Sequence, residues 1–190
     1  MATLARQKRL QPVVEAAEPH SIHMFSTELG WMGLAWRDSE VTRLTFGHAT
    51  LRAAAHEVAI YLPAVQDNEF PSWIGRLVKR LENFAAGKHD SFLDVPLELS
   101  HLTGFQSKVI AACRAIRAGR TRSYADLAAQ AGSPRAARAV GNVMRSNRYP
   151  LIIPCHRVIG SNGRLCGFTS PQGISMKERL LERERSAAEA

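Results

Sequence analysis

A cysteine followed directly by a histidine is the first place in this chain where chemistry is expected. The segment Pro154-Cys155-His156-Arg157-Val158 comes after a short apolar run, Tyr149–Ile153. A cysteine attacks as its thiolate, and at an ordinary pKa of about 8.5 only a few per cent of a free thiol is ionised at neutral pH. A neighbouring imidazole that accepts the proton, directly or through water, activates the thiol. Taken alone, such a pair more often belongs to a structural thiol, so both interpretations stay open at this point.

The imidazole of a nucleophilic pair needs a third group to orient it, in practice a carboxylate. Helical spacing over Ser175–Arg185 predicts a terminal helix, and Glu182 and Glu184 on this helix are the candidate partners of His156. The apolar residues of the same helix are expected to face inward: Met176, Leu180 and Leu181.

Two further cysteines complete a sparse and odd set. Cys113 lies in an apolar helical stripe that begins at Phe105, which predicts a core thiol, and Cys166 stands alone. Because no CxxC pair occurs, the sequence indicates neither a disulfide framework nor a zinc finger, and it implies no metal and no cofactor. A reducing, cytoplasmic setting fits this cysteine usage best.

The positive charge of the chain is concentrated in one segment. The formal net charge is +8, yet residues 104–168 carry ten Arg and one Lys against a single acid, Asp126. Residues 1–103 carry ten basic and twelve acidic side chains, and the last 22 residues carry four of each. A segment so poor in acids favours a polyanionic partner such as a nucleic acid.

Helix signals in the basic segment predict a helix-turn-helix. Thr103–Gln106 has the form of a capping box and opens one helix, which Gly119 closes. Ser123 can cap a second helix over Tyr124–Ala131, and Ser133-Pro134 is expected to open a third, because proline at the first helical position loses no hydrogen bond. One face of the third helix is basic and polar: Arg135, Arg138, Asn142 and Arg145. A DNA-contacting helix needs such a face, although an ordinary solvated helix has one too.

A β-hairpin is predicted after the reactive segment. Arg157–Gly160 and Arg164–Gly167 flank Ser161-Asn162-Gly163, which has the Asn-Gly pair typical of a hairpin tip. A hairpin after a helix-turn-helix suggests a wing.

The first half of the chain predicts a small α+β unit. Its expected elements are antiparallel strands at Ser21–Thr27, Trp31–Trp36 and Val41–Phe46, helices at Thr50–Leu62 and Pro71–Ala86, and one more strand at Leu93–Leu97. Its histidines lack metal-ligand partners and are expected at the surface: His20, His23, His48 and His56. The first twenty residues predict a loose tail, because they lack the apolar stretch of a secretory signal. The sequence contains no run of ~18 apolar residues, so no membrane span is predicted.

Several motifs in order closely resemble those of the O6-alkylguanine–DNA alkyltransferases, also called methylated-DNA–protein-cysteine methyltransferases. The matching residues are Arg135–Gly141, Asn147, Pro154–Val158 and the terminal Lys177, Leu180-Leu181 and Glu184. The Pro-Cys-His-Arg-Val segment matches completely the segment that carries the alkyl-acceptor cysteine in this family. The resemblance is strong from about Phe105 to Glu184 and thin over the first hundred residues.

The resemblance implies a reaction and its residues. Cys155 would be the nucleophile and permanent alkyl acceptor, and His156 would take its proton through a water while Glu184 holds the imidazole. The family places this glutamate three residues after a Leu-Leu pair, which favours Glu184 over Glu182. Asn147 would brace the turn that presents the cysteine, and Tyr124 would help to protonate the leaving guanine.

The resemblance also implies how DNA is held. Arg138 would enter the base stack from the minor groove and fill the gap left by a flipped nucleotide. The backbone around Cys155 and Val158 would read the guanine edge, Thr169 would offer its N–H to O6, and Lys177 would lie near the pocket. The other residues implied at the DNA or substrate are Arg135, Ala137, Gly141, Arg145 and Phe168.

Three departures from the family pattern affect the expected pocket. Asn147 is followed by Arg148 where the family often has proline, which adds charge near the reactive loop. Phe168 stands where most members carry tyrosine, so a hydroxyl that could assist at O6 is missing. The segment 169–173 replaces a glycine-rich loop that is shorter by about two residues in the family. An altered rate or alkyl-size preference is expected rather than loss of activity.

The sequence therefore predicts an α+β protein in two parts. A small N-terminal antiparallel-sheet domain, ribonuclease-H-like by resemblance, is expected over residues 21–100, and a mostly helical winged helix-turn-helix domain over 101–185, with tails at 1–20 and 186–190. The expected activity is a suicidal S-methyltransferase on double-stranded DNA containing O6-alkylguanine, acting as a monomer, with no membrane partner; cooperative binding to DNA is left open. The alternatives are a damage sensor or winged-helix regulator without chemistry, and a cysteine hydrolase.

Overall fold

The computed structural model describes residues 20–59, 64–66 and 69–189. The predicted tail over residues 1–20 lies outside this part of the chain except for His20, which begins the first strand. The end of the helix predicted at Thr50–Leu62 also lies outside it beyond residue 59. None of the described helices is long and apolar enough to cross a membrane.

A small sheet forms the first part of the fold. Its strands are β1 His20–Thr27, β2 Gly30–Arg37, β3 Glu40–His48 and β4 Ala64–Gln66. The strand order is β3-β2-β1-β4; β1, β2 and β3 are antiparallel, as predicted, and β4 pairs parallel to β1.

Six α-helices lie among the described residues, around this sheet and after it in the chain. They are α1 Leu51–Ala59, α2 Ser72–Ala85, α3 Gly104–Arg114, α4 Tyr124–Gln130, α5 Ala137–Arg145 and α6 Ile174–Glu189. The capping boxes at Thr103 and Ser123 are both present, as the sequence predicted. A two-stranded parallel sheet joins β5 Arg122–Ser123 to β6 Val158–Ile159. This mixed arrangement of an antiparallel sheet and helices confirms the predicted combination of elements.

One contiguous core runs through both parts of the chain. It includes Phe46 of β3, Leu81 of α2, Val109 of α3, Ile152 of the loop before Cys155 and Leu180 of α6. Burial of these side chains is the main force that holds the sheet against the helices. The predicted core thiol Cys113 is fully buried, and the inward-facing residues of α6 are buried as expected: Met176, Leu180 and Leu181.

The helix predicted to begin at Pro134 begins later. Residues Ser133–Ala136 form a turn closed by the Ala136 N–H, which donates to the Ser133 carbonyl at 2.9 Å, and α5 starts at Ala137. Arg135 therefore lies in the turn before the helix rather than on it. The terminal helix, by contrast, extends further than predicted at both ends, and residues 186–189 of the expected tail belong to it.

Two predicted pieces of β-structure are wrong. The hairpin after residue 157 does not form, because Val158–Ile159 pairs with Arg122–Ser123; only the tight turn remains, where the Gly160 N–H donates to the Arg164 carbonyl at 2.9 Å. The strand predicted at Leu93–Leu97 is reduced to one bridge between Leu97 and Val41.

Two histidines predicted at the surface are buried. His20 and His48 are each 7% exposed, and they hydrogen-bond the hydroxyls of Thr42 at 2.9 Å and Thr45 at 2.6 Å. Threonine partners on the same sheet satisfy the polar nitrogens, which makes burial tolerable.

Candidate active site and DNA-binding face

Cys155 lies in the wall of a cleft of about 910 Å³ between α4, α5 and the loop of residues 160–169. Cys155 is 7% exposed. Seven of the residues that the sequence assigned to DNA or substrate share this cleft with it: Tyr124, Ala137, Arg138, Gly141, Arg145, Phe168 and Thr169. The cleft therefore brings together residues that are up to 45 positions apart in the chain.

The backbone that leads to Cys155 is fixed by Asn147. Its side-chain amide donates to the Ile153 carbonyl at 3.0 Å, and its Oδ1 accepts from the Tyr149 N–H at 2.9 Å. Between these contacts Leu151 adopts a φ of +73°, a left-handed conformation that costs free energy for a residue with a Cβ. The two hydrogen bonds from Asn147 help to hold this turn, which ends in a short 3₁₀ turn, Cys155–Arg157.

His156 points away from the cleft into the protein, where it meets Glu184 of α6. The imidazole is 0% exposed, and its Nε2 lies 2.8 Å from Glu184 Oε1. Its other nitrogen, Nδ1, is buried and has no hydrogen-bond partner among the described residues. Glu182, the second candidate from the sequence, is exposed to solvent and is not the histidine's partner.

Arg157 is a member of this site that the sequence analysis missed. Its guanidinium is buried against Glu184, with Nη2 at 2.7 Å from Oε1 and Nε at 3.0 Å from Oε2. It also donates to the Ile116 carbonyl, and the Gly119 N–H donates to Glu184 Oε2 at 3.1 Å. An arginine inside an otherwise buried segment requires an acid nearby, and this requirement is a signal that could have identified the pair. We call His156, Arg157 and Glu184 the buried triad.

The charges of the buried triad determine where the protons sit. Burial alone raises the pKa of Glu184, but hydrogen bonds from His156 and Arg157 and their charges outweigh it and hold the pKa at about 2. Burial lowers the pKa of His156 despite the opposing effect of Glu184, so the imidazole is neutral at pH 7. A carboxylate can only accept hydrogen bonds, so Nε2 must carry the single imidazole proton. The lone pair of the neutral histidine therefore lies on Nδ1.

The thiol of Cys155 needs a base. Burial raises its pKa, while the side chain of Asn147 and the positive charge of Lys177 act in the opposite direction without reversing the shift. The thiol is therefore protonated at neutral pH, and only an acceptor for its proton would make it a thiolate.

Lys177 and Tyr124 lie together beside the cysteine. Lys177 is 0% exposed, and its ammonium donates to the carbonyls of Val158 at 2.6 Å and Cys166 at 3.1 Å. The same ammonium lies 5.9 Å from the centre of the Tyr124 ring. Burial raises the pKa of Tyr124 to about 12, so its phenol remains a hydrogen-bond donor.

The solvent side of α5 is strongly basic. Arg138 and Arg145 are exposed on it, while Val140 and Val143 face the core. Arg135 is exposed in the preceding turn. Among the residues that the structure describes, none forms an ion pair with these three arginines, so their charges are available to an anionic partner.

No group of three or more potential metal-ligating side chains is present within the described ranges. The site is therefore assembled there from a thiol, an imidazole, a carboxylate and basic side chains.

Comparison with known proteins agrees with this geometry. Residues 104–186 match the family model described as 6-O-methylguanine DNA methyltransferase, DNA binding domain. The methylated-DNA–protein-cysteine methyltransferase of Kluyveromyces lactis is 40% identical over 115 residues, which is 60% of this chain and 60%, less than two thirds, of that protein. The constitutive enzyme of the same name from Bacillus subtilis is 35% identical over 161 residues, covering 84% of this chain and 92% of its own.

A solved structure extends the likeness to the fold. The crystal structure of Mycobacterium tuberculosis OGT in complex with DNA superposes with a TM-score of 0.70 at 36% identity, covering 87% of this chain and 93% of that chain. Both parts of the fold are therefore shared, not the DNA-binding part alone. The chain belongs to the methylated-DNA–protein-cysteine methyltransferases, the family that repairs O6-alkylguanine by direct reversal.

Proposed function

We propose that Cys155 takes the alkyl group from O6-alkylguanine in duplex DNA and keeps it as a thioether. One observation carries this assignment: Cys155 faces the cleft, while the next residue, His156, is buried and held by Glu184 at 2.8 Å with its basic Nδ1 free. A structural thiol has no need for an oriented base behind it. This arrangement is instead that of an activated nucleophile.

The proton of the thiol leaves toward the buried triad. Cys155 passes it through one water to His156 Nδ1, and the imidazolium that forms is stabilised by the ionised Glu184. Arg157 keeps that carboxylate ionised and fixes its position. The thiolate then attacks the alkyl carbon in line, so a sulfur–carbon bond forms as the carbon–O6 bond breaks.

The leaving guanine takes a proton and departs neutral. Tyr124, whose phenol stays protonated, passes its proton to the guanine and regains one from water, while the imidazolium of His156 returns the thiol proton to solvent, so the net proton that guanine gains is the one that the thiol lost. The backbone at Val158 reads the guanine edge, with its carbonyl held by Lys177, and Thr169 offers its N–H to O6. Since a thioether has no easy route of hydrolysis, each molecule acts once.

Base flipping gives the thiol access to its target. An alkylated base inside a duplex cannot be reached, and extruding it costs a few kcal/mol. Arg138 enters the stack from the minor groove and occupies the gap, while Arg135 and Arg145 bind phosphates. The small residues Ala137 and Gly141 allow α5 to approach the DNA closely.

The proposed function also assigns a role to each part of the fold. The two packed helices α4 and α5 with a tight turn between them support a helix-turn-helix, and the turn at residues 160–164 takes the place of its wing. The sheet of residues 21–100 serves as a ribonuclease-H-like support, and residues 101–185 form the reactive domain. We propose that the protein acts as a cytoplasmic monomer.

Reaction stoichiometry tests the proposal. The protein is incubated with a duplex carrying one O6-methylguanine, and the intact mass is followed beside a Cys155→Ser control. We expect one methyl per wild-type molecule, with no further turnover, and none on the control. Tight lesion binding without mass change would indicate a sensor, and repeated turnover without mass change would indicate a hydrolase; either result overturns the proposal.

A further inference from the structure

The loop of residues 168–173 lines the cleft with Phe168 and Thr169, and two of its side chains, those of Phe168 and Gln172, contact strand β3 of the sheet. The Phe168 ring, which lines the cleft, meets the Phe46 ring edge-to-face with 6.1 Å between their centres. Phe46 is 2% exposed and belongs to the core. The cleft wall is therefore seated on a rigid part of the sheet.

Gln172 makes the second contact. Its side-chain Nε2 donates to the carbonyl of Gly47 in β3. Gly47 adopts a φ of +82°, and a Cβ at this position would lie 2.7 Å from Gln172 Oε1. The backbone conformation favours glycine here, and a residue with a Cβ would also displace the end of the Gln172 side chain.

The loop has few contacts of its own that would fix its position. Thr169 Oγ1 donates to the Arg145 carbonyl at 3.3 Å, and the Gly173 N–H closes a turn on the Ser170 carbonyl at 2.9 Å. The Ser170 hydroxyl is buried without a hydrogen-bond partner among the described residues. Because burial of an unpartnered hydroxyl costs free energy, it disfavours this position of the loop. The contacts to β3 must therefore offset this cost.

The same strand also contacts the turn that leads to Cys155, which itself lines the cleft. The Leu44 N–H of β3 donates to the Arg148 carbonyl at 2.8 Å, next to Asn147, which fixes the turn before Cys155. Strand β3 thus connects the loop that presents the thiol to the loop that bounds the alkyl group.

We propose that Gln172, bonded to Gly47, is a positioning residue that sets the distance between the Phe168 wall and Cys155. This inference rests on the proposed function of Cys155. When the bond is lost, the wall moves outward and a methyl group is no longer confined in line with the thiol. A bulky alkyl group fills the widened space, so it is affected less.

The test compares Gln172→Leu, which keeps the bulk but loses the donor, with Gln130→Leu at an exposed glutamine of α4 outside the cleft. Single-turnover transfer is measured at saturating duplex, with O6-methylguanine and with O6-benzylguanine, and DNA affinity is measured separately. We expect Gln172→Leu to lower the maximum methyl-transfer rate about 3- to 10-fold, the effect of one partly exposed hydrogen bond. DNA affinity should stay within about twofold, the benzyl rate should fall less, and Gln130→Leu should match the wild type.

A second variant distinguishes loss of the Gln172 hydrogen bond from a general loss of stability. Gly47→Ala displaces the end of the Gln172 side chain and also strains a backbone at φ +82°, so the loss of methyl rate in the double variant should be smaller than the sum of the two single losses. Thermal unfolding verifies that all variants are folded at the assay temperature. An unchanged methyl rate in Gln172→Leu, equal losses for methyl and benzyl, or additive losses in the double variant would each refute the inference. Absence of transfer in the wild type would refute the proposed function, and the role of Gln172 with it.

Discussion

Cys155 separates two regions of the molecule that are built in opposite ways. Behind it, the buried triad of His156, Arg157 and Glu184 is at most 7% exposed. In front of it, the cleft is bordered by exposed arginines of α5 and by the half-buried ring of Phe168.

The two regions control different properties of the protein. In the buried triad, the polar side chains hydrogen-bond one another instead of water. Removal of one side chain therefore leaves another charged or polar group buried without a partner. In the cleft, side chains keep their hydration until a ligand arrives. Changes behind the thiol should therefore alter rate and stability, whereas changes in front should alter DNA affinity and alkyl selectivity and leave stability nearly unchanged.

The largest effect is expected from His156→Asn. In the proposed mechanism His156 is the base that accepts the thiol proton, so without it the maximum transfer rate should fall by about 10²- to 10⁴-fold. His20→Asn is the matched control, because His20 is also buried and hydrogen-bonded, to Thr42, but lies in the sheet. Single-turnover kinetics on a methylated duplex measure both; equal rates in the two variants would contradict the role of His156.

Arg157→Met should be the most destabilising change. It leaves the Glu184 carboxylate buried without its guanidinium partner, so we expect a loss of about 3–5 kcal/mol in the free energy of unfolding. Urea denaturation monitored by circular dichroism measures the loss. Adding Glu184→Leu should recover part of it, and a single variant within ~1 kcal/mol of the wild type would show that the triad is not a stabilising unit.

Acid should weaken the buried triad through Glu184. Its pKa is held at about 2, below the ordinary 4.5, so its stabilising contribution is present above pH 4.5 and is lost as the pH falls toward 2. The contribution is at most about 3 kcal/mol. Unfolding free energies between pH 7 and 2.5 should therefore fall more steeply in the wild type than in Glu184→Gln; parallel pH profiles would argue against an ionised Glu184 partner.

On the cleft side, Arg138→Ala should weaken DNA engagement without weakening the fold. In the proposed mechanism Arg138 offsets part of the cost of base flipping, so transfer at low DNA concentration should fall about 10-fold. The melting temperature should stay near that of the wild type, since the side chain is exposed. Arg76→Ala, at an exposed arginine of α2, controls for loss of charge. A large drop in stability for Arg138→Ala would break the contrast between the two regions.

The smallest effect is expected from Phe168→Tyr, which adds a hydroxyl at the cleft wall. We expect the methyl-transfer rate to change by less than about 10-fold and the ratio of methyl to benzyl transfer to shift, with stability within ~0.5 kcal/mol of the wild type. Transfer that is undetectable in the wild type and restored in the variant would show that the missing hydroxyl is essential.

The site could be foreseen more fully than the fold around it. The residue types and order suggested Cys155 and His156, the resemblance to the family selected Glu184 over Glu182, and the structure places His156 against Glu184. The role of Arg157 was missed because it depends on α6 packing against the 3₁₀ turn, a contact between distant parts of the chain.

The errors in secondary structure have the same origin. The turn at Asn162-Gly163 forms as its residues demand, but Val158–Ile159 pairs with Arg122–Ser123, about 36 residues earlier, and no local pattern reveals that partner. His20 and His48 were expected at the surface because their threonine partners become visible only when the strands are in register.

Peptide mass spectrometry after incubation with O6-methylguanine duplex tests the central claim most directly. Trypsin separates Cys155, in the peptide Tyr149–Arg157, from Cys166, in Leu165–Lys177. We predict one methyl group on Tyr149–Arg157, saturating at one per protein, and none on Leu165–Lys177. A methyl group on the Cys166 peptide, or an unmodified Tyr149–Arg157 peptide despite tight lesion binding, would contradict the assignment of Cys155 as the acceptor.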